Sequence, residues 1–291
     1  MMKKILIATD FSNTADHAAR YSISLASQLG LDIMLIHAAS ERPDSPLQII
    51  LPSEDYEIMV KRTNDLLERH ADLLMKSAVD YLDTNKKIPK ISAKSSFDSI
   101  ANLLRETIQH DHIGLVILGL SGNGDLKRLV HGSCSRDVID FAEYPALLIP
   151  QGADFVPIKK IAFATDLSTA DMEMIQILAL FAAKLNAELL IVHVITDRED
   201  RLVTHRIDTF MKELNSKVSY GKLYYKNVYQ PKIEDGLNWL SDHGGTDMLA
   251  LIHRKHSFTS DILHGSHSQK LARETNLPLL IIPEGYKSTL F

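Results

Sequence analysis

The chain repeats itself, and that constrains its fold more than any other feature. KKILIATDFS at 3–12 returns as KKIAFATDLS at 159–168, and DIMLIHAAS at 32–40 returns as ELLIVHVIT at 188–196, both 156 residues later. YPALLIP at 144–150 returns as LPLLIIP at 277–283, now 133 residues later. Two copies of one unit therefore fill the 291 residues, and the second is shorter in its middle. At ~150 residues each, either copy can own a hydrophobic core. The extra length of the first copy includes ERPDSPLQIILPSE at 41–54, which its Pro-Asp and Ser-Pro breaks mark as a long loop. The boundary falls in QGADFVP at 151–157, giving one domain over 1–152 and a second over 157–285.

Each copy alternates strand and helix. Ile5, Leu6, Ile7 and Ala8 form a short apolar run without polar alternation, as a strand covered on both faces requires. Ser12 reads as an N-cap, small and apolar residues follow at helical spacing, and Gly30 stops the helix. DIMLIHA is a second strand, and 54–84 a long helix with Leu66, Leu67, Leu73, Leu74 and Val79 inward. IPKISAK, GLVILGL (114–120) and ALLIP complete the strands, with helices over 98–110 and 132–142. This order predicts an α/β fold: two tandem, doubly wound, parallel five-stranded sheets.

Ligands of such sheets sit beyond the carboxyl ends of the strands, at the switch point. There the first copy places Thr9-Asp10, His37-Ala38 and Leu118-Gly119. After the fourth strand come Gly119, two residues, Gly122, nine residues, then Gly132-Ser133. Glycines let backbone amides approach an anion closely. A helix starting at Gly132-Ser133 would turn free N–H groups and its positive dipole end toward phosphate, with the Ser133 and Ser135 hydroxyls beside them. That dipole contributes ~0.3–2 kcal/mol, too little to hold a ligand alone.

The ATDFS opening, the LIHA second strand, the Pro-x-Leu-Leu-Ile-Pro last strand and the glycine skeleton together resemble the universal stress protein family, as two family domains in one chain. The resemblance implies an adenine nucleotide alpha hydrolase-like fold and an ATP-binding first copy, commonly with Mg or Mn. Carried over, it implies that Asp10 faces ribose and adenine, Ala8 lines the pocket, and Ala38 meets adenine through its main chain. Gly119 and Gly122 would wrap the phosphates; Gly132, Ser133 and Ser135 would hold them. In relatives the last strand pairs across a dimer interface, so the two copies would pair with each other as a pseudo-dimer, with further homodimerisation open. The implied role is stress adaptation by a regulatory rather than catalytic protein. Two rival readings stand beside it: slow ATP hydrolysis or phosphoryl transfer to Ser133 or Ser135, and an interaction module without nucleotide.

The second copy departs from the pattern. Asp166 and His193-Val194 survive, while His253 and His256 are read at the two glycine positions, so ATP binding is expected to be poor there. His253, His256, His264 and His267 suggest a metal, but no carboxylate or thiolate stands at ligand spacing, so no metal site is expected. Cys134 reads as a packed small residue, Trp239 as core, and Lys127 and Arg128 as solvated. His37 and His193 read as structural hydrogen-bonders. The motifs G-x4-G-K-(S/T), H-E-x2-H and G-x-S-x-G are missing. A net charge of −5 argues against a nucleic-acid partner, and no apolar run is long enough to span a membrane. Together with the single cysteine, these features lead us to expect a cytoplasmic protein.

Overall fold

The computed structural model describes residues 3–39, 53–79, 82, 86–120, 144–196, 201–254 and 277–291. The first copy runs β1 (Lys4–Ala8), α1 (Asn13–Leu29), β2 (Asp32–Ala38), α2 (Ser53–Ala78), β3 (Ile91–Ser96), α3 (Ile100–His110), β4 (Ile113–Leu120) and β5 (Ala146–Pro150). The second runs β6 (Lys160–Ala164), α4 (Asp171–Leu185), β7 (Glu188–Ile195), α5 (Arg201–Lys217), β8 (Leu223–Tyr229), α6 (Ile233–His243), β9 (Met248–His253) and β10 (Leu279–Pro283). The expected helix over 132–142 and most of the 41–54 loop lie outside the described residues.

Local chemistry accounts for the helix ends. The Ser12 side chain accepts the Ala15 N–H, and Gly30 closes α1 in the left-handed region at φ 70°, its N–H reaching Ala26 O and Ser27 O. Asn186 closes α4 the same way at φ 56°.

The strands form one ten-stranded sheet in the order β3-β2-β1-β4-β5-β10-β9-β6-β7-β8. Within each copy all pairings are parallel. The copies meet where β5 and β10 run antiparallel, with Leu147 opposite Leu280 and Leu148 opposite Leu279. One face of the sheet is covered by α1, α2, α4 and α5 over a single core that spans both copies, from Ile5, Ile7 and Leu147 to Phe163, Leu189 and Leu280. The other face carries α3 in the first copy and α6 in the second, over separate cores. The connecting segment packs on α1: His17 Nε2 donates to Ala153 O at 3.0 Å, and Phe155 meets Tyr21 edge-on at 5.0 Å. Residues at the end of the described chain touch both copies. Leu290 is buried, Phe291 lies 5.9 Å from Phe181, and Lys3 donates to Thr289 O.

The inward face of α2 differs from expectation. Leu67, Ala71, Leu74 and Ala78 face the sheet, while Leu66 and Leu73 are 55% and 63% exposed and Val79 is also exposed. At 3.6 residues per turn, a neighbour of an inward residue stands ~100° away, whatever its hydrophobicity. Trp239 is half-buried against the α6-side core, with the Lys226 ammonium 4.4 Å above its ring.

Candidate functional site

Strand order places the ends of β2, β1 and β4 side by side, with the switch point between β1 and β4. Ala38, Ala8, Asp10 and Gly119 therefore share one rim of the first copy. Ala8 and Ala38 are partly buried on the α3-side core and offer a low apolar surface. Gly122, Gly132, Ser133 and Ser135 lie outside the described residues.

A tight turn leads from β1 into α1. Thr9 Oγ1 accepts the Phe11 N–H at 3.0 Å, and Asp10 Oδ1 accepts the Ser12 N–H at 3.0 Å. Phe11 sits at φ 61°, a conformation that costs a non-glycine residue ~1–3 kcal/mol unless its surroundings hold it. They do. Its ring packs 4.6 Å from the His37 ring and 5.1 Å from that of His70, while His70 Nε2 donates to Asp16 Oδ1 at 2.9 Å. His37 Nδ1 donates to Thr9 O at 2.8 Å, so this histidine braces the turn, as its strand-end position suggested.

The second copy repeats this wiring. Leu167 takes φ 65°, Thr165 Oγ1 accepts the Leu167 N–H, Asp166 Oδ1 accepts the Ser168 N–H, and His193 Nδ1 donates to Thr165 O at 3.0 Å. Burial pushes the His193 imidazole down from its ordinary pKa, so it is neutral at pH 7.

The two turns differ in what reaches them. Arg254, one residue beyond β9, pairs with Asp166, with Asp171 at the start of α4, and with Glu284 just after β10 at 3.1 Å. Arg206 from α5 donates to Asp166 O at 2.7 Å. Thus Asp166 gives one carboxylate oxygen to the turn and the other to a guanidinium. Asp10 gives one to the turn, and among the described residues no cation pairs with it. Asp171 is 1% exposed, and the Thr165 hydroxyl donates to it. Burial raises its carboxyl above the ordinary range, with the Asp166 charge adding to the rise and the Thr165 and Arg254 contacts opposing it. The carboxylates raise the Arg254 guanidinium further despite burial. Behind this cluster lies a cavity of about 110 Å³ lined mainly by Ala164, Val192, Val194, Ile233 and Leu251.

Strand register corrects the reading of the second-copy glycine positions. Gly119 pairs with Ile149 in β5, and Ile252 pairs with Ile282 in β10; these isoleucines are equivalent in the two last strands. Ile252, not His253, therefore stands where the first copy has Gly119. Lys255 then matches Gly122, and Gly265-Ser266 keeps its spacing. In the first copy, α1 lies so close that a Cβ on Gly119 would stand 2.4 Å from Thr14 O. In the second, Ile252 is buried in the core and α4 begins two residues later, with no side-chain cap at Ala170. The later helix start goes with a side chain, rather than a glycine, at this strand position.

Arg254, Asp171 and Glu284 escaped the sequence reading because their contacts join residues 30 to 88 positions apart. The one signal available was that Arg254 aligns with Ser121, and Asp171 with Ala15. Of the histidine run only His253 is described, and among the described residues no cluster suits a metal ion.

A model of the universal stress protein family matches residues 1–150. The universal stress protein Slr1230 of Synechocystis is 23% identical over 299 residues, covering 96% of this chain and 99% of that protein. A universal stress protein of known structure from Archaeoglobus fulgidus superposes with a TM-score of 0.66 at 14% identity, over 98% of this chain and 97% of its own. The cytoplasmic domain of a prokaryotic cation chloride cotransporter shares the fold at a TM-score of 0.56 and 9% identity, over 100% and 99% of the two chains.

Proposed function

The chain belongs to the universal stress protein family, and from that membership we propose that it is a cytoplasmic regulatory protein holding ATP in its first crevice. The second copy acts as a partner domain whose crevice is crossed by Arg254, joined to the first as a pseudo-dimer at β5 and β10. The observation that carries this reading is the contrast between two equivalent carboxylates. Asp10 keeps an oxygen that can accept a ribose hydroxyl, whereas Asp166 is committed to Arg254. The low surface of Ala8 and Ala38 suits a flat base, and the 119–135 loop would supply phosphate donors, with Mg or Mn as counter-ion. In the second copy the carboxylate equivalent to Asp10 is already engaged by a guanidinium, so it is not available to a ribose. No oriented general base is found among the described residues of the first rim, which favours a binding role over turnover.

Isothermal titration of the full chain with MgATP tests this reading, with Gly122→Val as control. One site per chain, lost in the variant, is expected. Two equal sites, or none, would overturn it, and phosphate release that falls with binding in Gly122→Val would favour slow hydrolysis.

A further inference from the structure

We propose that Arg254 is an intramolecular latch across the second crevice, and that acid weakens its hold on Asp171. The guanidinium joins three separate connections at one end of the sheet: the turn after β6 through Asp166, the start of α4 through Asp171, and the turn after β10 through Glu284. Its own place one residue beyond β9 brings in a fourth. Asp166 and Glu284 are rim residues, with side chains 58% and 48% exposed, and rim ion pairs hold weakly. Asp171 is the anchor, because its carboxylate is buried and a desolvated pair is costly to break from one side. The same burial makes Asp171 the member that takes up a proton first, a tendency the Asp166 charge strengthens. Once neutral, Asp171 keeps the Thr165 hydroxyl as a partner, and Arg254 loses its buried anionic partner. The other charged or titratable groups nearby do not replace the anchor. Arg206 is turned to Asp166 O, and His193, on the cavity wall, is kept neutral by burial although it donates to Thr165 O.

A weaker Arg254–Asp171 contact loosens both the mouth of the 110 Å³ cavity and the end of β10, the strand that meets the first copy. The latch thus ties the state of the second crevice to the junction between copies. It stands independently of nucleotide binding in the first crevice.

A double-mutant cycle on the full chain tests the latch without any ligand. Wild type, Asp171→Asn, Arg254→Met and the double variant are unfolded in denaturant at pH 7.5 and pH 5.0. Coupling between the two positions of about 30-fold in the unfolding equilibrium is expected at pH 7.5, falling below about 3-fold at pH 5.0. Equal coupling at both pH values, or none at pH 7.5, would overturn the proposal. Should Arg254→Met fail to fold, Asp171→Asn alone suffices, because the amide mimics the protonated acid. At pH 7, carbethoxylation of His193, read by peptide mass spectrometry, is expected to run about tenfold faster in Asp171→Asn than in wild type, as for a group exposed by local opening. An unchanged rate would sink the latch.

Discussion

The carbonyl oxygen of Thr14 lies 2.4 Å from the point where a Cβ on Gly119 would stand. No flexible side chain can yield there, because the obstacle is the backbone of α1 at its first turn. A residue singled out for phosphate contact thus has a packing role as well. Gly119→Ala is expected to lower stability by about 1–3 kcal/mol, as an overpacked site does. Chemical denaturation measures this, and an unchanged midpoint would show that α1 moves freely.

Asp10→Asn should separate binding from folding. The amide oxygen can still accept the Ser12 N–H, so the turn survives, but the remaining position carries an NH₂ instead of an accepting oxygen. MgATP affinity is expected to fall about tenfold or more, with stability changed by less than about 1 kcal/mol. Calorimetry paired with a thermal melt reads both. Full affinity in the variant would remove Asp10 from the site.

Asp171 also makes a signed contribution to the pH dependence of stability. Its carboxyl is raised from 3.8 to about 6, so the folded state binds the proton more tightly than the unfolded chain does. The contribution is full below the ordinary carboxyl range and is lost as pH rises through about 6. It amounts to up to about 3 kcal/mol between pH 4 and pH 7. Asp32 runs the other way: contacts with Lys87 and Lys90 outweigh burial and depress its carboxyl, so its contribution fades in acid. The difference between wild type and Asp171→Asn isolates the first effect. Parallel stability–pH curves for the two would contradict it.

Gly114 marks where the returning tail docks. A Cβ there would stand 2.0 Å from Leu290 O and 2.9 Å from the Phe291 ring. Gly114→Val should displace residues 286–291, expose the contact with Phe181, and make that segment cleavable while the sheet remains folded. Limited proteolysis followed by intact-mass measurement detects this; a tail that stays protected would mean that β4 gives way instead.

How far the sequence can be read depends on the range of the interaction. The two ends of α1 were legible because Ser12 and Gly30 act on neighbours within a few residues. The buried strands were legible because Ile5 to Ile7 lack polar alternation. Leu66 and Leu73 were misplaced because hydrophobicity does not set an angle around a helix; Leu67 and Leu74 do, through their contact with the sheet. The match of Gly119 with His253 slipped by one residue because a gap of unknown position separates the repeats, and only pairing with β5 and β10 fixes it. The Arg254 cluster was invisible because nothing local draws a guanidinium toward a carboxylate more than eighty residues earlier.

Because β5 and β10 run in opposite directions while every other neighbouring pair runs together, the strands of the two halves end at opposite borders of the molecule. Displacement at one mouth can reach the other through the leucine contact of Leu147 with Leu280 and the core that both halves share.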